Sequence, residues 1–183
     1  MEILYINACV RNESRTNRLA KSYLQKMQGN VTELNLTNEM IKPLDQGLLE
    51  KRNQFVNAND FSDESFHYAK QFALADCIVI AAPYWDFSFP AILKTYFEQI
   101  NVSGIIFQYQ QDGSIKSFCQ AKKLVYITTA GAYIIEPNTG YEYIRQLAEI
   151  FFGILDVEYH KAEGLDIEGA DVESILAKTD LKL

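Results

Sequence analysis

The chain has 183 residues, enough for one domain with a sizeable core, and at 48% hydrophobic and 22% charged it is not a disordered or low-complexity chain. A formal net charge of −7 argues against a nucleic-acid partner held by its phosphates, and no apolar run is long enough to span a membrane. Cys9, Cys77 and Cys119 show no CxxC spacing and His67 and His160 stand far apart, so no metal site is expected.

Taken in order, ILYINA (3–8) is a nearly continuous apolar run, the pattern of a strand covered on both faces. A polar turn follows, then a helical stripe of Leu19, Ala20, Tyr23, Leu24 and Met27, with Gly29 as a stop. VTELNL (31–36) reads as a weaker strand nearer a sheet edge. The long polar segment 37–61 has little regular pattern, and short helical turns are the most it predicts. Ser62 and Asp63 can cap a helix that turns Phe66, Ala69, Phe72 and Ala73 to the core. DCIVIAAP (76–83) is the clearest buried strand, and Ile92, Leu93, Tyr96, Phe97 and Ile100 mark a helix over 89–101.

Residues 104–118 stand outside the alternation, with Asp112-Gly113 as a hairpin turn between two β-prone arms. KLVYITTA (123–130) is the fourth main strand. A striped helix runs from Tyr141 to Phe152 and ends at Gly153, DVEYHKA (156–162) is the fifth main strand, and 169–179 a last helix. Strands alternating with helices over short connections require parallel neighbours. The expectation is an α/β fold: a single domain over 1–183 built on a flavodoxin-like, doubly wound, five-stranded parallel sheet. Its strand order is 2-1-3-4-5, with helices on both faces and a small hairpin excursion.

In such a sheet, ligands collect at the carboxyl ends of the strands, where the strand order reverses. Three loops meet there. The first, NACVRNESRTNRL (7–19), puts Ser14, Thr16 and Asn17 at the start of a helix beside Arg11, Arg15 and Arg18. Free N–H groups and the helix dipole favour a phosphate there, although Ser, Thr and Asn are also ordinary N-caps. The loop lacks both GxGxxG and GxxxxGK[ST], which removes the Rossmann dinucleotide and P-loop readings. The second, PYWDFSFP (83–90), crowds Tyr84, Trp85, Phe87 and Phe89 around Asp86. Core cover, a dimer patch and walls for a flat ring are its three readings. In the third, TTAGAY (128–133), Thr128, Thr129 and Gly131 suggest a tight turn whose N–H groups could meet negative charge on a ligand, with small Ala130 and Ala132 permitting close approach. A phosphate seat, an aromatic wall and a donor turn at one point fit FMN. No GxSxG elbow is present, and neither histidine follows a strand where a triad needs it.

The stretch IVIAAPYWDFSFPAILKTYFEQI with GIIFQY, followed by LVYITTAGAY, resembles the flavodoxin-like NAD(P)H-dependent oxidoreductases, which include FMN-dependent azoreductases and quinone reductases. The resemblance spans roughly 1–165. It implies that Ser14, Arg15, Thr16 and Asn17, with Arg11 nearby, hold the FMN phosphate. Pro83, Tyr84, Trp85, Asp86 and Phe87 then pass beside the ribityl chain and ring, and Thr129, Ala130, Gly131 and Ala132 meet the pyrimidine edge. Two positions depart from the family pattern: Ala8 or Cys9 stands where many relatives have a serine, and Ala132 where the turn often has a second glycine.

The resemblance further implies ping-pong hydride transfer from NADH or NADPH through FMN to a quinone, azo compound or other small aromatic acceptor. It also implies a homodimer with sites at the interface, where Phe107, Tyr109 and Tyr133 would line the acceptor pocket. A one-electron flavodoxin-type carrier and a flavin-free protein-binding module are the alternatives. The N-terminal MEILYINACV has no basic n-region and no cleavage site, so no signal peptide is expected; unpaired thiols suit the cytoplasm.

Overall fold

The structure is a computed structural model that describes residues 1–179 and 181. Its centre is a parallel sheet built from β1 (Glu2–Asn7), β2 (Asn30–Asn35), β3 (Cys77–Ala81), β6 (Lys123–Thr129) and β7 (Asp156–Ala162). The strand order is β2-β1-β3-β6-β7, which is the expected 2-1-3-4-5 counted over the main strands. A separate antiparallel hairpin, β4 (Phe107–Tyr109) and β5 (Ile115–Ser117), is the excursion read around Asp112-Gly113. Its connection spans five residues, Gln110 to Ser114, and the Asp112 carboxylate accepts from the Ser114 N–H at 2.9 Å.

Period-two alternation sorts the strand side chains between two cores. Leu4, Ile6, Ile78, Ile80, Leu124 and Tyr126 face one side, where α3 (His67–Leu74), α4 (Ala91–Ile100) and α5 (Thr139–Leu147) pack. Ile3, Tyr5, Val79, Val125 and Ile127 face the other, beneath α1 (Arg15–Leu24) and α6 (Val172–Lys178). Every residue of β3 is buried, whereas β2 is exposed over its first four residues, as an edge strand should be.

Several boundaries differ from the sequence reading. The segment 37–61 holds α2 (Gln46–Asn57), a twelve-residue helix capped by Asp45, instead of only short turns. None of its residues is buried, so no apolar stripe marks it in the sequence. Asp63 caps a single 3-10 turn, Glu64–Phe66, and α3 begins only after it. Helix α1 ends at Leu24, so Gly29 is not its stop; a Cβ at Gly29 would lie 2.4 Å from the Met1 carbonyl, which explains the glycine. Helix α5 starts before Tyr141, at Thr139, capped by Asn138, and runs into a π-helical turn at Ala148–Phe152. Gly153 closes that turn with φ of 66°, as expected of a helix-terminating glycine.

A polar cluster ties α1 to the sheet. The Tyr23 hydroxyl donates to Glu158 Oε2 at 2.8 Å, Lys123 Nζ lies 2.5 Å from Glu158 Oε1, and His160 Nε2 lies 3.4 Å from Oε2. Burial pushes the Glu158 carboxyl up, but the Lys123 ammonium and the Tyr23 hydroxyl outweigh it and hold the group below its ordinary 4.5. The bond to Glu158 raises Lys123 above 10.5, against the opposing effect of burial. The depressed carboxyl contributes stability that is present above 4.5 and lost as pH falls through its folded value; the raised lysine contributes stability that is lost only above 10.5. Urea midpoints of wild type and Glu158→Gln measured from pH 7 down to pH 3 should therefore converge in acid. A constant gap between them would show that the carboxylate's charge is not what the cluster uses.

Candidate functional site

The carboxyl ends of β1, β3, β6 and β7 lie side by side, and their hydrogen-bond ladder continues into the loops above. Ala8 N–H donates to the Ala81 carbonyl, Ala82 N–H to Ile127, Tyr84 N–H to Thr129 and Ala130 N–H to Ala162, all at 2.8–3.1 Å. Those loops enclose a cleft of about 360 Å3. Of the residues expected to bind a ligand, Arg11, Ser14, Arg15, Thr16, Pro83, Tyr84, Trp85, Thr129, Ala130 and Gly131 line it.

One end of the cleft is the head of α1. Ser14 is its N-cap and accepts from the Asn17 N–H at 3.3 Å, which leaves the hydroxyl proton to a further acceptor. The first-turn N–H groups of Arg15 and Thr16 have no acceptor within the helix, so this end presents donors and positive charge. Thr16 and Thr129 share a hydroxyl–hydroxyl bond of 2.7 Å with both side chains buried, pinning the first loop to the end of β6. Only one of the two protons is needed for that bond, and the other remains to be donated.

The aromatic loop is a miniature hairpin. Trp85 and Ser88 exchange both backbone bonds, at 3.1 and 2.8 Å, around Asp86 (φ 50°) and Phe87 (φ 65°). Two consecutive left-handed residues make a type I′ geometry, which a bulky Phe adopts only under external constraint. The constraint comes from α5, where the Thr139 hydroxyl donates to the Phe87 carbonyl and Gly140 abuts Ser88 and Phe89. Tyr84 and Trp85 face the cleft, while Phe89 turns inward against Phe97 and Tyr143. The sequence left core cover, a dimer patch and ligand walls open for these rings; Phe89 is core cover, and Tyr84 and Trp85 line the cleft.

The remaining expected residues stand elsewhere. Asn17 turns down to accept from the Tyr5 hydroxyl at 2.7 Å. Asp86 and Phe87 form the hairpin tip, beyond the cleft lining. Ala132 uses its carbonyl to accept from Gly164. Phe107 is buried against Phe151, with ring centroids 4.4 Å apart, and does not reach the cleft; Tyr109 and Tyr133 are exposed outside it. The turn after β6 has one donor fewer than expected, because the Ala130 N–H is used by Ala162.

Sequence reasoning missed Val10, Glu13, Leu165 and Asp166, which also line the cleft. The last two belong to the loop after β7. Arg15 Nη1 donates to Asp166 Oδ1 at 2.6 Å and to the Leu165 carbonyl at 3.3 Å. The available signal was position alone, at the carboxyl end of the fifth main strand.

Cys9 is buried under the first loop; burial pushes its thiol up to about 11, only partly offset by the Ser14 hydroxyl, and so keeps it in the thiol form. With donors and cations at one end and aromatic faces along a wall, the donor set suits a phosphate monoester carrying a flat ring, as in FMN.

A family model described as a flavodoxin-like fold matches residues 1–183. An FMN-dependent NADH:quinone oxidoreductase from Clostridium acetobutylicum is 38% identical, over 97% of this chain and 94% of its own length. One from Coprothermobacter proteolyticus is 34% identical, over 94% and 90%. Among solved structures, an azoreductase from Bacillus anthracis superposes with a TM-score of 0.80 at 22% identity, covering 97% of this chain and 93% of that one, a likeness of fold. With the sheet order, the span of the family match and relatives this similar all in agreement, the chain belongs to the flavodoxin-like family.

Proposed function

We propose that the chain is an FMN-dependent oxidoreductase that takes electrons from NADH and delivers them in pairs to a quinone, an azo compound or a related aromatic acceptor. The observation that carries this reading is the meeting of a cationic, hydroxyl-bearing helix start with an aromatic hairpin in one cleft. The names of the relatives support the cofactor, the donor and the quinone acceptor. FMN, when bound, supplies the two-electron chemistry. Arg11, Ser14 and the first-turn N–H groups of α1 hold its phosphate, with Arg15 in reach. Tyr84 and Trp85 orient the ring and shield it from water, and the turn at Gly131 meets its pyrimidine edge.

Residues 1–183 act in this reading as a single flavin-binding domain. The exposed rings of Phe87, Tyr109 and Tyr133 support a homodimer, since large aromatic side chains left at the surface suit a partner subunit. Three free cysteines support a cytoplasmic setting, and no helix among the described residues is long and apolar enough to cross a membrane.

The test is a visible spectrum after FMN is added and excess removed, followed anaerobically through a titration with NADH and then NADPH. A retained flavin spectrum that bleaches stoichiometrically with NADH is expected. A retained flavin that neither nucleotide reduces would make the protein a one-electron carrier, and no retained flavin would overturn the reading.

A further inference from the structure

Arg15, at the head of α1, already has an anion. Its guanidinium is bonded to the Asp166 carboxylate at 2.6 Å, and that carboxylate does not arrive on a loose loop. Backbone bonds stitch the loop after β7 to the turn after β6: Gly164 N–H to Ala132 at 3.1 Å, Leu165 N–H to Ala130 at 3.2 Å and Asp166 N–H to Gly131 at 2.8 Å. The second carboxylate oxygen lies over Gly131, where a Cβ would meet Oδ2 at 2.2 Å. The residue at 131 must therefore be a glycine for Asp166 to keep this position. Asp166 thus spans from the turn to the helix start, along the wall of the same cleft.

The pair is exposed, with side-chain accessibilities of 38% for Arg15 and 66% for Asp166, so it adds little to the stability of the fold. Its consequence is for binding. A guanidinium at a helix start is a suitable phosphate ligand, because its planar fork pairs with two oxygens at once. Here part of that fork is held by a carboxylate of the same chain.

We propose that Asp166 is an internal competitor for the anion seat, occupying the Arg15 guanidinium that a phosphate monoester would otherwise take. This rests on the reading of the cleft as an FMN site. Arriving phosphate must draw Arg15 away from Asp166, and the lost ion pair weakens its hold. Through Arg15 the carboxylate acts on the phosphate, so it sets the preference between phosphorylated and unphosphorylated ligands of the same shape.

Fluorescence-quenching titrations with FMN and with riboflavin, on wild type, Asp166→Asn, Arg15→Gln and the double variant, test this. Asp166→Asn should bind FMN about tenfold more tightly and riboflavin no differently. In the Arg15→Gln background the same change should do much less. The proposal is overturned if Asp166→Asn binds FMN as wild type does or more weakly, as it would if the carboxylate positioned Arg15. It is also overturned if FMN and riboflavin affinities shift together, since the carboxylate would then act on the ring. A wild type that binds neither flavin would overturn the FMN reading itself and this inference with it.

Discussion

Phe97→Ala should destabilise the protein by about 3–5 kcal/mol, measured as the change in unfolding free energy in urea. Phe97 is fully buried on α4, and its ring lies 6.0–6.4 Å from those of Phe89, Tyr143 and Phe152. Truncation removes the transfer energy of the ring and leaves a cavity among side chains that α4, α5 and the sheet hold in place. Phe97→Leu, which keeps most of the volume, should cost under about 1.5 kcal/mol. The effect reaches the site through Phe89, the residue that anchors the carboxyl end of the aromatic hairpin. At urea-free, folded conditions Phe97→Ala should therefore also bind FMN more weakly than Phe97→Leu. Equal flavin affinity in the two variants would mean that the hairpin is positioned without this anchor.

The sheet was legible because its three central strands, β1, β3 and β6, are buried on both faces. ILYIN and CIVIA carry no polar alternation, and at five residues, rich in β-branched side chains, they fit a strand buried on both faces. The three loops named from the sequence do meet at one cleft, since the carboxyl-end rule depends on strand order alone. What escaped depends on chain-distant or surface chemistry. Helix α2 has no fully buried residue, only Phe55 and Val56 half-buried against the core, so hydrophobic periodicity is weak along it. Asp166 sits 151 positions from Arg15, and an acidic residue in a loop beside Gly164 has no local pattern that distinguishes it from solvated charge. Phe107 and Tyr109 were read alike, as pocket rings, because residues two apart in a strand share a face; what separates them is tertiary, Phe107 being covered by Phe151 while Tyr109 stays exposed. The hairpin geometry at Asp86-Phe87 was hidden for a different reason: Asp tolerates a left-handed backbone but Phe does not, and tertiary contacts impose it.

Asn138→Ala is the variant that should release this imposed geometry. The side chain is 1% exposed, and Oδ1 accepts from the Gly140 and Tyr141 N–H groups at 3.0 and 3.2 Å while Nδ2 donates to the Tyr159 hydroxyl at 2.7 Å. Alanine removes the α5 cap and leaves buried donors without their acceptor, a loss of about 2–3 kcal/mol. Asn138→Asp keeps an acceptor for both N–H groups, adds favourable charge at a helix start and gives up only the amide donor, so it should lose clearly less. The functional consequence follows from what the first turn of α5 touches. Thr139 bonds the Phe87 carbonyl, and Gly140 lies against Ser88. Left-handed conformations at non-glycine residues cost about 1–3 kcal/mol each and persist only where the surroundings over-determine them. Once that turn frays, Asp86 and Phe87 relax to ordinary backbone angles and Trp85 leaves the cleft wall. Tryptophan fluorescence of Trp85, the chain's single tryptophan, should then shift to the red in folded Asn138→Ala protein, with weaker FMN binding, and remain near wild type in Asn138→Asp. If Asn138→Ala loses stability while Trp85 emission and flavin affinity stay unchanged, the hairpin carries its strain without help from α5.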